Sequence, residues 1–106
     1  MRTFPKSLAA FREIVNKRGG ELRKLPYQEL LQHRDSPIET LSVESRPSTI
    51  GIIVEEQSNG AIRVVVQGFM KARVIPSASN VALDGFYKFP DGTIAPMPSD
   101  EFYEFG

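Results

Sequence analysis

The sequence predicts an α+β domain in which an N-terminal helix pair packs on one face of a four- or five-stranded antiparallel sheet. Three observations support this fold. Apolar residues recur at helical spacing before residue 36, the apolar period changes to two from residue 38, and two three-residue loops ending in glycine separate pairs of candidate strands. Strands joined by such tight loops run antiparallel, and the helices then cover one face of the sheet.

The length of 106 residues fits one domain, because two separate cores would each be small for independent folding. Residues 1–36 are predicted to be helical, residues 38–97 to form the sheet, and residues 98–106 to form an acidic, aromatic C-terminal segment. With 41% hydrophobic and 25% charged residues, the composition is that of a globular protein and excludes disorder. No apolar run approaches the ~18 residues of a membrane span.

The first helix is expected between Pro5 and Arg18, with Gly19-Gly20 as its C-terminal stop. Its predicted inward-facing residues are Leu8, Phe11, Ile14 and Val15. A second helix should begin at Pro26 and end near Arg34. It is too short to be stable by itself, so it must depend on packing against the rest of the domain.

Five strands follow at period two. They are Glu39–Glu44, Thr49–Gln57, Ala61–Val74, Val81–Phe89 and Thr93–Met97. The loops Ser58-Asn59-Gly60 and Pro90-Asp91-Gly92 each match a type I turn completed by a left-handed glycine. Residues 75–80 form a longer connection between the third and fourth strands.

The loop length predicts the register and the two faces of the sheet. A three-residue loop places Val54 opposite Val64 and Glu55 opposite Arg63, and it aligns the apolar even-numbered rows of the two strands. These rows should lie beneath the helices. In the fourth strand the odd-numbered residues are predicted to be buried, which leaves Asp84 and Phe86 on the face away from the helices.

That second face is the predicted binding surface. Its apolar residues are Ile53, Val65, Phe69 and Phe86, and its orienting charged residues are Arg63, Lys71, Arg73 and Asp84. A free sheet face is normally polar, and an apolar patch with a charged rim marks a contact surface. The alternative is that the C-terminal segment folds back and places Phe102 and Phe105 over this patch.

The sequence contains few of the residues that catalysis or metal binding would require. The chain has one histidine, His33, and no cysteine, and no metal-ligand spacing, phosphate-binding glycine loop or nucleophile elbow occurs. No catalytic residue, metal or cofactor is therefore predicted. The absence of cysteine also fits a reducing compartment, so a cytoplasmic location is expected. A ligand-binding or enzymatic pocket between helices and sheet, involving Tyr87, Asp84 and Lys71, remains an alternative.

The charge distribution bears on the choice of partner. Residues 1–34 carry a net charge of +5 and residues 35–106 a net charge of −5. We expect a basic helical layer against an acidic sheet, rather than a nucleic-acid arm. Phe69 among basic residues resembles a single-strand stacking platform, but a pI near 6.6 opposes nucleic-acid binding. The favoured function is a non-enzymatic domain that binds a protein partner, or a second copy, through the second face. Binding of single-stranded nucleic acid by the same face or by the basic helices is the alternative.

Overall fold

The computed structural model describes residues 6–71 and 79–105, with residue 79 described by its backbone alone. The helices are α1 (Lys6–Arg23) and α2 (Tyr27–Gln32), and 3₁₀ helices span His33–Asp35 and Ser99–Glu104. The strands are β1 (Glu39–Val43), β2 (Arg46–Glu56), β3 (Ile62–Lys71), β4 (Ser79–Lys88) and β5 (Ile94–Pro96). They form one antiparallel sheet in the order β1-β2-β3-β4-β5, which confirms the α+β prediction. In the part of the chain described, no helix has the length and apolar character to cross a membrane.

Helix α1 runs through both glycines, so the predicted stop at Gly19-Gly20 is wrong. Gly19 is buried against β4, and a Cβ atom there would lie 1.8 Å from Oδ2 of Asp84. The glycine therefore serves close packing of the helix on the sheet. The helix ends at Arg23, shortly before Pro26 caps the start of α2.

The core lies between α1 and the even-numbered rows of the sheet. Phe11 and Val15 are fully buried, and they pack over the bare backbone of Gly68. A Cβ atom at Gly68 would lie 2.6 Å from Cζ of Phe11, so the glycine allows α1 to approach β3 closely. The cluster continues through buried sheet residues that include Val64, Val66 and Met70.

The two glycine-ended loops set the register as predicted. The backbone N–H of Gln57 donates to the carbonyl of Ala61 at 2.8 Å, and Gly60 has a φ of +90°. The β4–β5 loop repeats this geometry, with Gly92 at a φ of +94°. Strand β3 consequently pairs with β2 through Val54–Val64 and Glu55–Arg63.

The turn between β1 and β2 differs from the sequence prediction. Strand β2 begins at Arg46 rather than Thr49, and only Glu44 and Ser45 separate it from β1. Both residues have positive φ, at 50° and 67°, as a two-residue hairpin turn of mirror-image type requires. Because neither residue is Gly or Asn, the usual sequence signal for such a turn is missing.

Ion pairs join the basic helical layer to the acidic sheet. They are Arg18–Glu39 at 2.9 Å, Arg23–Asp84 at 2.7 Å and Arg34–Glu56 at 3.2 Å. Each pair links a cation of the first 34 residues to a carboxylate of the sheet. The structure thus confirms the expectation that the opposite charges of the two parts face each other within one molecule.

Candidate functional site

The second face of the sheet is the one that points away from α1. Val64, Val66, Gly68 and Met70 of β3 lie under the helices, so the intervening odd-numbered residues point to the opposite side. Cross-strand partners share a face, and the register therefore places odd-numbered residues of β2 there as well. Of the predicted binding residues, the second face holds Ile53, Arg63, Val65, Phe69 and Lys71.

Asp84 and Phe86 do not lie on this face, and their predicted outward orientation is wrong. Phe86 pairs with Val64 and Asp84 pairs with Val66, so both side chains point toward α1. Phe86 is only 1% exposed, and the guanidinium of Arg23 lies 4.8 Å from the centre of its ring. The same guanidinium donates two hydrogen bonds to the Asp84 carboxylate, at 2.7 and 3.0 Å.

The reason for this error is the composition of β4. Large apolar residues stand at both odd-numbered and even-numbered positions of the strand, with Leu83 and Tyr87 on one face and Phe86 on the other. The sequence predicts a longer connection between the third and fourth strands, and such a connection does not specify which side chains of β4 face the helices. Arg73, which the sequence also assigned to the site, falls outside the described residues.

The C-terminal segment, residues 98–105, lies across half of the second face. Arg63 makes ion pairs with Glu101 at 3.0 Å and Glu104 at 3.1 Å, in addition to Glu55 of the neighbouring strand at 2.8 Å. The ring of Phe105 lies 5.0 Å from the same guanidinium, and Val65 beside it is fully buried. The C-terminal segment therefore folds back over this half of the face, as the alternative in the sequence analysis proposed.

Further contacts fix the path of the segment. The hydroxyl of Tyr87 donates to the Glu101 carboxylate, and the side-chain amide of Gln67 donates to the backbone carbonyl of Phe105 at 2.5 Å. Before the segment begins, buried Met97 packs on Gly85, where a Cβ atom would lie 2.9 Å from the methionine sulfur. The chain is thus held at both ends and in the middle, and we call the surface beneath it the covered half.

The electrostatics of the covered half favour the charged forms of its ion pairs. Burial lowers the pKa of Arg63, but hydrogen bonds to Glu55 and Glu101 outweigh this effect and raise it above its ordinary value. The Tyr87 hydroxyl and then Arg63 lower the pKa of Glu101. Burial, followed by the bond to Glu101, raises the pKa of Tyr87. At neutral pH the contact is a guanidinium among carboxylates, with the tyrosine as a neutral donor.

Acidification is expected to release the C-terminal segment. The pKa of Glu101 is lower in the folded chain than its ordinary value of 4.5. The ionised Glu101 carboxylate therefore stabilises the bound segment fully above pH 4.5, and this stabilisation is lost as the pH falls through the lower pKa of the folded chain. The side-chain amide of Gln67, which binds the segment, should therefore report a transition below pH 4.5 by NMR. In Glu101→Gln this step should disappear, because the side chain at position 101 no longer ionises. An unchanged titration in that variant would contradict the assignment.

The remaining part of the second face is exposed. Phe69 on β3 is 39% exposed, and Ile53 on β2 is half-buried. Ile38 is 69% exposed and lies over Gly51, with its Cγ1 atom 3.7 Å from the point where a Cβ atom of residue 51 would be. A shallow groove of about 320 Å³ lies between Phe69, Lys71 and residues of β1 and β2. We call the surface formed by Ile38, Ile53, Phe69 and Lys71 the open half.

The residues of the alternative ligand pocket are not brought together. Asp84 faces α1, whereas Tyr87 and Lys71 lie on the second face. Tyr87 pairs with Arg63, eight residues from Lys71 along β3, a separation of roughly 26 Å at the rise of a β-strand. Within residues 6–71 and 79–105, no group of three or more histidine or acidic side chains is arranged to hold a metal ion.

No protein-family model, no curated protein sequence and no solved structure matches this chain.

Proposed function

We propose that the protein is a non-enzymatic interaction domain that binds a protein partner, or a second copy of itself, through the open half of the second face. The exposure of Phe69 carries this proposal. Its aromatic ring lies between Thr49 and Val81 in the register, on the same sheet face as Ile53. The other half of that face is covered by the chain itself. Large apolar side chains grouped on a sheet face indicate a contact surface, and a buried aromatic residue supplies much of the affinity of such contacts.

Protein binding is favoured over binding of single-stranded nucleic acid. A stacking platform needs cations beside the aromatic ring to contact phosphates. The Arg63 guanidinium is instead surrounded by three carboxylates, which would repel a phosphate. Lys71 is the remaining cation of the predicted platform among the residues described. A weak salt dependence of partner binding would agree with this choice.

We also propose a cytoplasmic location. The support is the complete absence of cysteine, which is compatible with a chain that folds without disulfides in a reducing compartment.

Replacement of Phe69 by aspartate should abolish partner binding or self-association and leave the fold intact. The charge would have to be buried without a counter-ion when the surfaces meet. Ile94→Asp is the matched control, because Ile94 is 40% exposed but pairs with Lys88, whose side chain faces α1. Sedimentation velocity measures self-association, and affinity capture with both variants as bait identifies a partner.

The two variants separate a specific contact from a general effect of surface charge. The proposal requires a dimer or a captured protein that Phe69→Asp loses and Ile94→Asp retains, with unchanged circular dichroism in both. Equal loss in both variants, or no dimer and no partner that depends on Phe69, would refute it.

A further inference from the structure

The covered half presents a complete set of contacts for an acidic, aromatic chain segment. Arg63 supplies a cation, the side chains of Gln67 and Tyr87 supply hydrogen-bond donors, and Val65 supplies an apolar floor. All four side chains belong to the rigid central strands of the sheet. The Arg63 guanidinium is also bound by Glu55 of the neighbouring strand at 2.8 Å, so the sheet itself helps to preorganise the cation.

The C-terminal segment that fills this surface is held by polar contacts while most of its own side chains stay partly exposed. None of the residues Ser99–Glu104 is fully buried, and Tyr103 is 85% exposed. Its backbone is a short 3₁₀ helix, whose hydrogen bonds are poorer in geometry than those of an α-helix. Ion pairs with partly exposed carboxylates contribute little stability and weaken with salt. Another segment of the same chemistry could therefore replace it at low cost.

We infer that the covered half is a docking surface for an acidic, aromatic peptide segment of a partner protein, with the C-terminal segment acting as an internal competitor. Charge complementarity selects the occupant. Arg63 binds two carboxylates that are three residues apart, Glu101 and Glu104, and its guanidinium also contacts the aromatic ring that follows, Phe105. This site is separate from the open half, which carries the proposed function.

Competition within the chain predicts how binding will behave. A tethered segment acts at a high effective concentration, about millimolar for short flexible links, so the wild-type chain should bind a free peptide weakly. Weakening the tethered segment should increase the affinity for the free peptide. The double variant Glu101→Gln/Glu104→Gln removes the two carboxylates that bind Arg63 and so weakens the tethered segment in the full chain. It leaves Arg63, Gln67 and Tyr87 unchanged.

The experiment uses a fluorescent, C-terminally amidated peptide of residues 98–105 and measures its anisotropy. The double variant should bind this peptide about tenfold more tightly than the wild-type chain does, which corresponds to about 1.4 kcal/mol. A control peptide with the same two glutamines should bind the double variant about tenfold more weakly than the unsubstituted peptide. Adding salt should reduce binding of the acidic peptide more than binding of the control.

Several results would overturn the inference. One is that the peptide of residues 98–105 does not bind the double variant. Another is that this peptide and the control peptide bind the double variant equally well. A wild-type dimer that the free peptide dissociates would assign the surface to a second copy and refute the partner assignment. Adding Phe69→Asp to the double variant should leave peptide binding unchanged, so failure of the open half and failure of the covered half can be told apart.

Discussion

Replacing Phe86 with alanine is expected to lower the free energy of unfolding by about 4 kcal/mol, the largest effect of any single substitution considered. The ring is almost fully buried between β4 and α1, so its removal leaves a cavity in the core. The guanidinium of Arg23 would also lose the ring beneath it, 4.8 Å away. Denaturant unfolding monitored by circular dichroism measures the change.

The control for this prediction is Phe69→Ala. It removes the same side chain from the second face, where the ring is already 39% exposed, and should cost about 1 kcal/mol. The pair of variants tests directly whether the even-numbered residues of β4 face α1. Equal losses, or a larger loss at Phe69, would show that the two rings are placed on the wrong faces.

Replacing Gly19 with alanine should destabilise the protein by about 2 kcal/mol, although alanine is the better helix former. Within a helix, alanine is favoured over glycine by about 1 kcal/mol. At this position, however, the new methyl group would lie 1.8 Å from Oδ2 of Asp84. The carboxylate would have to move and give up two hydrogen bonds to Arg23, and the partly buried charges would lose their partners.

The adjacent residue supplies a control with the opposite sign. No atom lies within 4 Å of a Cβ position at Gly20, which is in the same helix. Gly20→Ala should therefore stabilise the protein by about 0.5–1 kcal/mol through helix propensity alone. Thermal unfolding of both variants decides the matter. A gain in stability from Gly19→Ala would refute the close packing of α1 on Asp84.

About half of the candidate site was accessible to sequence reasoning. The positions of Val65 and Phe69 followed from the three-residue loop, because its length sets the register and the register sets the face. The sequence offers the covering of this face by the C-terminal segment only as an alternative. Its contacts with Arg63 join residues 38 or more positions apart, and no periodic pattern in the chain encodes such a pairing.

The misplaced residues share one physical cause. Asp84 and Phe86 belong to a strand whose two faces are both covered, by α1 on one side and by the C-terminal segment on the other. Alternation of polar and apolar residues is a reliable guide only where one face meets water. Asp84 looks like a surface residue because it is charged, yet Arg23 satisfies it beneath the helix.

By itself the sequence determined the elements that depend on near neighbours: the helical periodicity around Phe11, the two glycine-ended hairpins and the central register. Local sterics and one-sided burial act over a few residues, so the chain encodes them directly. Only the tertiary structure decided why α1 continues past Gly19, which way β4 faces and which half of the second face stays open. These features arise from contacts between distant segments, whose fit depends on shape and on satisfied charges and leaves no local pattern in the chain.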